Sequence, residues 1–206
     1  TNMFGTKLFR IRALVEFGDV EAGELGGYVE KESNLGHDDN AWVYGDARVY
    51  DNALVYDNAR VYGDAQVSGD ARVYDNARVY GDAWVYGDAW VYGNALVCGN
   101  ARVYDNARVY GDAWVYGNAR VCGDALVCGD ARVCGNGDYA YAHGFGSVNR
   151  TTTFFRLKDG GVGVRCGCFY GTLAQFRDKI RETHGETKKA QEYLMLADLM
   201  KLRFEK

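Results

Sequence analysis

Small and hydrophobic positions repeat with a period of six along residues 41–136. Alanine stands at every sixth position from Ala41 to Ala131, and valine stands two places after each alanine, sixteen times each without a miss. Residues two apart share one face of an extended strand, so alanine and valine face one way and the residues between and after them face the other. Six is a multiple of the strand period and fits the helical period of about 3.6 poorly, so the pattern predicts β-structure.

Each six-residue unit ends in a turn. The unit reads Ala-x-Val-(Tyr/Cys/Ser)-(Gly/Asp)-(Asp/Asn), and its last two positions hold residues that tolerate positive φ. We therefore expect a four-residue strand and a corner in each unit. Three units close a triangular coil, and the sixteen units give about five coils at a spacing of roughly 4.8 Å. The inward valines and alanines fill the coil.

The spacing of an aliphatic residue and a small residue four places later, as in Val43 and Ala47, resembles the signature of the hexapeptide-repeat family. The resemblance implies a left-handed parallel β-helix, usually trimeric, and many members are acyltransferases that use acyl-CoA or acyl-carrier substrates. The position after the aliphatic residue is usually small in that family and is mostly tyrosine here. Through Gly-Asp-Ala-Arg-Val-Tyr and the leader at 17–20 and 25–30, the chain is more similar to uncharacterised bacterial and phage hexapeptide-repeat proteins.

The fold predicted from these observations is an all-β solenoid, a left-handed parallel β-helix, with a small C-terminal α+β capping domain. We expect residues 1–40 to form strands and turns that cap the first coil. Residues 41–136 form the β-helix itself. Residues 137–206 form a linker followed by a β-hairpin and two helices.

The C-terminal part carries its own signals. Residues 153–157 and 162–166 flank a Lys-Asp-Gly-Gly turn and predict the hairpin. A capping box begins at Thr172 and opens a helix, and a second helix is expected over about 187–204. Residues 153–206 hold eleven basic and seven acidic residues, a net charge of +4, which suits a solubilising cap or the docking of an acidic partner.

Composition excludes several classes of protein. The net charge of −4 gives no reason to expect nucleic-acid binding by bulk charge. The sequence has neither a signal peptide nor a membrane span, so we expect a soluble cytoplasmic protein, in the host cytoplasm if the chain is phage-encoded. Six cysteines without a Cys-x-x-Cys pair fit free thiols in a reducing compartment. We expect no cofactor and no metal.

The outward positions carry the residues best suited to binding. The repeats hold eight arginines, all four tryptophans of the chain and no lysine. Arginine, tryptophan and tyrosine are enriched at binding hot spots, and arginine forms forked contacts with carboxylates and phosphates. The candidate ligand-binding or partner-binding residues are Trp42, Arg60, Arg78, Trp84, Trp90, Arg102, Arg108, Trp114 and Arg120.

Two other interpretations of these outer faces stay open. In the first, the aromatic and arginine side chains stack between coils, and their role is only to stabilise the sheets. Alternatively, the flat aromatic faces are covered by self-association, which favours a homo-oligomer and in particular a trimer. At the corners, Asp46, Asp64 and Asp82 form either a track for cations or simply solvated turns, and we expect the latter.

These features favour a non-enzymatic binding or structural protein over an enzyme. The resemblance implies a catalytic histidine and loops that interrupt the coils, but residues 41–136 contain no histidine and no insertion. We expect an oligomeric, phage- or bacteria-encoded protein that sequesters a host protein or a nucleotide signal, which would make it a counter-defence protein. The alternative is an acyltransferase with its site at the subunit groove near His143, the one candidate base.

Overall fold

The computed structural model describes residues 5–145 and 150–205. Two N-terminal strands, β1 (Phe9–Arg12) and β2 (Leu25–Val29), are followed by a short 3-10 helix over Glu32–Asn34. Sixteen two-residue strands, β3 to β18, come next, and each consists of the outward residue and the valine of one repeat. They are Trp42–Val43, Arg48–Val49, Leu54–Val55, Arg60–Val61, Gln66–Val67, Arg72–Val73, Arg78–Val79, Trp84–Val85, Trp90–Val91, Leu96–Val97, Arg102–Val103, Arg108–Val109, Trp114–Val115, Arg120–Val121, Leu126–Val127 and Arg132–Val133.

The strands stack into three parallel sheets, one on each side of a β-solenoid. Side 1 consists of β3, β6, β9, β12, β15 and β18; side 2 of β2, β4, β7, β10, β13 and β16; side 3 of β5, β8, β11, β14 and β17. On side 3, Leu35 adds an isolated parallel bridge to Val55. The predicted β-solenoid is confirmed, but it has about six turns, because β2 and Leu35 add a turn ahead of the first repeat.

Strands are shorter than the four residues expected, although coil-to-coil hydrogen bonding extends past them. In one coil, Trp84 donates its backbone N–H to the carbonyl of Ala101 at 2.9 Å, and Tyr86 donates to Val103 at 3.0 Å. The alanine and tyrosine positions therefore still join neighbouring coils, while the chain bends into the corner on either side of them. Each residue lies on the residue eighteen positions later, as Val85 does on Val103.

The solenoid interior is built from the two inward residues of each repeat. Every valine from Val43 to Val133 and every alanine from Ala47 to Ala131 is fully buried. Burial of one valine side chain contributes roughly 1.5–3 kcal/mol, so the repeated valines supply most of the stabilising apolar surface. Alanine fits where the backbone narrows toward the next corner.

Corners require a left-handed backbone at the fifth position of the unit. At Gly93, φ is +70°, and an added Cβ would lie 2.9 Å from the nitrogen of Gly111 in the next coil. Aspartate with φ of 56–58° replaces glycine at Asp51, Asp57, Asp75 and Asp105. Each of these carboxylates accepts a backbone N–H from the following coil, as Asp75 does from Gly93 at 3.0 Å. That hydrogen bond offsets the strain of the left-handed conformation.

A small α+β unit follows the solenoid, as predicted. Its sheet has four antiparallel strands in sequence order, and two helices pack on it. The elements are β19 (Tyr139–Phe145), β20 (Arg150–Arg156), β21 (Val162–Cys166), β22 (Phe169–Thr172), α1 (Leu173–His184) and α2 (Lys188–Phe204). The expected hairpin corresponds to β20 and β21, whereas the outer strands β19 and β22 were not anticipated. The capping box is present, since Thr172 and Gln175 exchange hydrogen bonds.

Consecutive residues of β20 pack into two separate hydrophobic cores. Phe155 is fully buried in the solenoid core, and its neighbour Phe154 is fully buried in the core shared with the helices. The Thr153 hydroxyl accepts the backbone N–H of Leu126, one of the last solenoid residues, at 2.9 Å. One strand thus closes the C-terminal end of the solenoid and carries the helices on its far face. Within the described residues, no helix combines the length and apolarity needed to cross a membrane.

The corner geometry predicts a glycine-specific loss of stability. Gly93→Ala should lower the free energy of unfolding by at least about 1–2 kcal/mol, because an L-residue is strained at positive φ and the Cβ meets the next coil. Urea denaturation measures the change. Gly135→Ala is the matched control, because a Cβ there has no atom within 4 Å and φ is not left-handed. Equal stability of the two variants would contradict this account of the corners.

Candidate binding surface

The nine predicted binding residues are distributed over all three sides of the solenoid. Side 1 carries Trp42, Arg60, Arg78 and Trp114; side 2 carries Trp84, Arg102 and Arg120; side 3 carries Trp90 and Arg108. Residues on different sides point away from one another, so the nine do not form one site. A single binding site can therefore include only the residues of one side.

On sides 2 and 3, tryptophan and arginine stack on one another. Arg72 and Arg108 lie over the Trp90 ring from the coils before and after it, with guanidinium carbons 5.0 and 4.6 Å from the ring centroid. Arg102 lies 4.9 Å from the centroid of Trp84. Each such contact contributes about 0.5–1 kcal/mol when exposed, and these contacts join adjacent coils. Their ring faces are therefore engaged within the solenoid.

Trp42 does not belong to an outer face. It is 4% exposed and packs edge-on against Phe17, with ring centroids 5.4 Å apart. Phe17 and Val20 form a bridge that brings the N-terminal segment across this end of side 1. The expectation that Trp42 is an outward binding residue is wrong, because a segment more than twenty residues earlier covers it.

Tyrosines next to the strands form parallel stacks. Tyr56, Tyr74, Tyr92 and Tyr110 lie 4.9 Å apart between centroids, with rings within 5° of parallel. Tyr62 stacks on Tyr80 at 4.8 Å in the same way. Because burial disfavours the charged phenolate, it raises the pKa of Tyr74 to about 12. The stacks stabilise the neutral side chains and favour the folded solenoid.

Side 1 contains a groove between two tyrosines and two arginines. Tyr44, Arg60, Tyr62 and Arg78 line a cavity of about 350 Å³. Arg60 and Arg78 occupy equivalent positions in adjacent coils. Arg60 forms an ion pair with Asp19 of the N-terminal segment, and this hydrogen bond lowers the pKa of the Asp19 carboxyl. Among the described residues, Arg78 has no acidic partner and is exposed.

Tyr44 fixes one wall of this groove. Its hydroxyl donates to the Asp19 carboxylate at 3.2 Å and accepts from Arg60 at 3.1 Å. Burial and the nearby Asp19 charge raise the pKa of Tyr44 to about 12, whereas the Arg60 charge opposes the rise. The Tyr62 ring meets Tyr44 edge-on at 6.4 Å. The groove therefore combines a pre-positioned aromatic wall with one neutralised guanidinium and one unpaired guanidinium.

Sequence reasoning identified only half of this groove. Arg60 and Arg78 were predicted, but Tyr44, Tyr62 and Asp19 were not. The eighteen-residue spacing already places Tyr44 beside Tyr62 on side 1, so that signal was present. The pairing of Asp19 with Arg60 spans 41 positions and has no local signal.

His143 lies on β19 in a polar setting. Its Nδ1 atom is 2.9 Å from the Thr151 hydroxyl and 3.8 Å from the Asp124 carboxylate. Both partners contact the same ring nitrogen, whereas a catalytic relay uses one nitrogen for the nucleophile and the other for the acid. Asp124 and Thr151 also line an open cavity of about 410 Å³ that includes Arg108 and Arg150.

The acidic corners are open to solvent. Asp46, Asp64 and Asp82 are exposed turn residues. Across residues 5–145 and 150–205, no group of three or more histidine, cysteine, aspartate or glutamate side chains is arranged to hold a metal ion.

The repeats match a known family model, described as the YdcK beta solenoid repeat. The matched residues are 41–56, 53–69, 65–77, 71–87, 101–117 and 113–129. The chain is a β-solenoid repeat protein. These matches lie entirely within the stacked coils and leave both ends of the chain outside. No curated protein matches the chain.

The tyrosine stacks predict a defined response to alkali. Burial raises the pKa of Tyr74 to about 12, and a hydrogen bond with the Cys98 thiol together with burial raises the pKa of Tyr80 to about 12, so the folded state holds these protons more tightly than the unfolded state. Their contribution to stability is complete below about pH 10 and is lost as the pH rises through about 12. Circular dichroism and tyrosinate absorbance, recorded together, should show loss of strand structure and phenol ionisation in that same window.

Tyr74→Phe tests the cause, since it keeps the ring and removes the hydroxyl. The variant should keep its fold at neutral pH and lose less stability in alkali. Complete tyrosine ionisation near pH 10 in an intact solenoid would contradict the assignment of these raised pKa values.

Proposed function

We propose that this chain is a non-enzymatic binding protein that holds an anionic ligand of the nucleotide type in the groove on side 1. One observation carries the proposal: Arg60 and Arg78 lie side by side in adjacent coils, and among the described residues only Arg60 of the two has a carboxylate partner. Like charges directly opposite each other destabilise a sheet. Because Asp19 already pairs with Arg60, an anion in the groove pairs chiefly with the guanidinium of Arg78, removes what remains of this repulsion and gains charge-assisted hydrogen bonds.

The chemistry of the groove supports a ligand with both a phosphate and a ring. Arginine matches the geometry of phosphate oxygens, and tyrosine offers a surface for a base. The volume of about 350 Å³ lies within the range typical of small-molecule sites, roughly 300–1,000 Å³. No proton has to move and no bond has to break for the groove to act, so the proposed role is sequestration.

The proposed setting of this binding rests on the resemblance to bacterial and phage hexapeptide-repeat proteins. In that setting the protein removes a nucleotide signal in the host cytoplasm and acts as a counter-defence protein, with a host protein as the alternative target. The resemblance to the hexapeptide-repeat family, whose members are usually trimers, also implies that three copies assemble through the sides of the solenoid. Trp114 supports side contacts, because it is 43% exposed on side 1.

Isothermal titration calorimetry with cyclic nucleotides tests the proposal. Arg78→Glu should weaken binding about ten- to a hundredfold, since a hydrogen bond to a charged group contributes roughly 1.5–3 kcal/mol. Arg120→Glu is the matched control, because it makes the same charge change at an exposed position on side 2. If the unaltered protein binds no cyclic nucleotide, the proposal that its ligand is a nucleotide is wrong. Equal weakening by both variants would show that the nucleotide does not bind in the groove.

An acyltransferase with His143 as its base is the competing proposal. It is supported by the cavity beside His143, where Arg108 and Arg150 could receive the phosphates of a CoA substrate. His143→Ala should then abolish acyl transfer from acyl-CoA while nucleotide binding on side 1 persists. Retention of full acyl-transfer activity by the variant, or absence of that activity from the unaltered protein, would contradict it.

A further inference from the structure

The two ends of the solenoid, and not only its sides, expose apolar surface. Ten large hydrophobic side chains of the described chain are exposed, and seven of them lie in two clusters at opposite ends. The N-terminal cluster consists of Phe9, Leu14, Val15 and Leu25, and the C-terminal cluster consists of Met195, Leu199 and Leu202. Leu14 is 84% exposed and Met195 is 71% exposed, so neither is covered within one copy.

Phe9, Leu14 and Val15 of the N-terminal cluster line a bowl of about 920 Å³ over the end of the solenoid. Val29, Leu35 and Trp42 belong to its wall, and they come from sides 2, 3 and 1 respectively. The bowl therefore lies across the solenoid axis. At the C-terminal end, by contrast, β20 covers the last coil and inserts Phe155 into it.

The rim of the bowl is acidic. Glu30, Glu32, Asp38 and Asp39 surround it, against Arg12 and Lys31. Residues 1–40 as a whole contain eight acidic and four basic residues. Asp38 and Asp39 have no cationic partner among the residues that the structure describes. A partner for this end should be apolar at its centre and basic at its edge.

Helix α2 of the same chain has that character. Met195, Leu199 and Leu202 follow one another at spacings of four and three, so they form one exposed stripe on the helix. Lys188 and Lys189 precede the stripe and have no carboxylate partner in the described chain, whereas Asp198 is already paired with Arg177 at 2.6 Å. The C-terminal unit carries a net charge of +4 over residues 153–206.

From this match we infer that the N-terminal bowl of one copy receives the exposed stripe of α2 from a second copy. The two surfaces lie at opposite ends of about six coils, which span roughly 25–30 Å, so one chain cannot join them itself. A contact between two different surfaces is heterologous, and when the rotation does not close it extends without limit. Copies therefore add end to end into a filament along the solenoid axis. This surface is separate from the side groove of the proposed function.

Sedimentation of variants that block one end each tests the inference. Leu14→Lys/Val15→Lys places positive charge at the acidic bowl, and Met195→Gln/Leu199→Gln removes the apolar stripe while keeping good helix-forming residues. All four positions are exposed, so folding should survive, and circular dichroism verifies it. The unaltered chain should increase in average mass with concentration, and each variant alone should keep one constant mass, because its blocked end stops end-to-end addition whether or not the sides assemble.

Mixing the two variants gives the decisive result. Each keeps one intact end, so an equal mixture should reach twice the constant mass of either variant alone and stop there. Asp82→Lys, at an exposed corner of the solenoid away from both ends, is the control and should assemble as the unaltered protein does. A constant mass for the unaltered protein at all concentrations, unchanged assembly of either end variant, or a mixture that stays at the mass of one variant would overturn the inference.

Discussion

Every part of the solenoid depends on hydrogen bonds between adjacent coils, in which one residue donates its backbone N–H to the carbonyl seventeen positions later, as Trp84 does to Ala101. These bonds place valine on valine and turn on turn, as in Val85 over Val103. They also bring the corners so close that a Cβ at Gly93 would lie 2.9 Å from the next coil. Aspartate is accommodated there only where its carboxylate accepts the N–H above it, as at Asp75. The repeat is uniform because the stacking leaves few other residues that fit.

The same stacking decides the chemistry of the outer surface. Identical side chains in one column lie about 4.8 Å apart, so aromatic rings stack well and like charges repel. Tryptophan, glutamine or leucine separates most arginines within a column, and Trp90 lies between two of them. Two arginine-on-arginine steps remain, and in one of them Arg102 stacks on Trp84. In the other, Asp19 neutralises Arg60 and leaves Arg78 available to a ligand.

Local sequence patterns predicted the structural features that depend on neighbouring residues. The alternation of alanine and valine identifies the buried face, and Thr172 with Gln175 marks the start of α1. Such patterns do not predict contacts between segments that are far apart in the sequence. The burial of Trp42 under Phe17, the pairing of Asp19 with Arg60 and the insertion of Phe155 into the last coil all join segments that the sequence separates. For this reason the repeat fold was predicted, whereas the groove was predicted only in part.

Native mass spectrometry of protein purified from its expression host, first under gentle and then under denaturing conditions, tests most directly whether the solenoid binds an anionic ligand without catalysis. The account predicts a discrete anionic small molecule that stays attached under gentle conditions and is released intact on denaturation. A chain that carries nothing, or a covalent acyl group that survives denaturation, would contradict it.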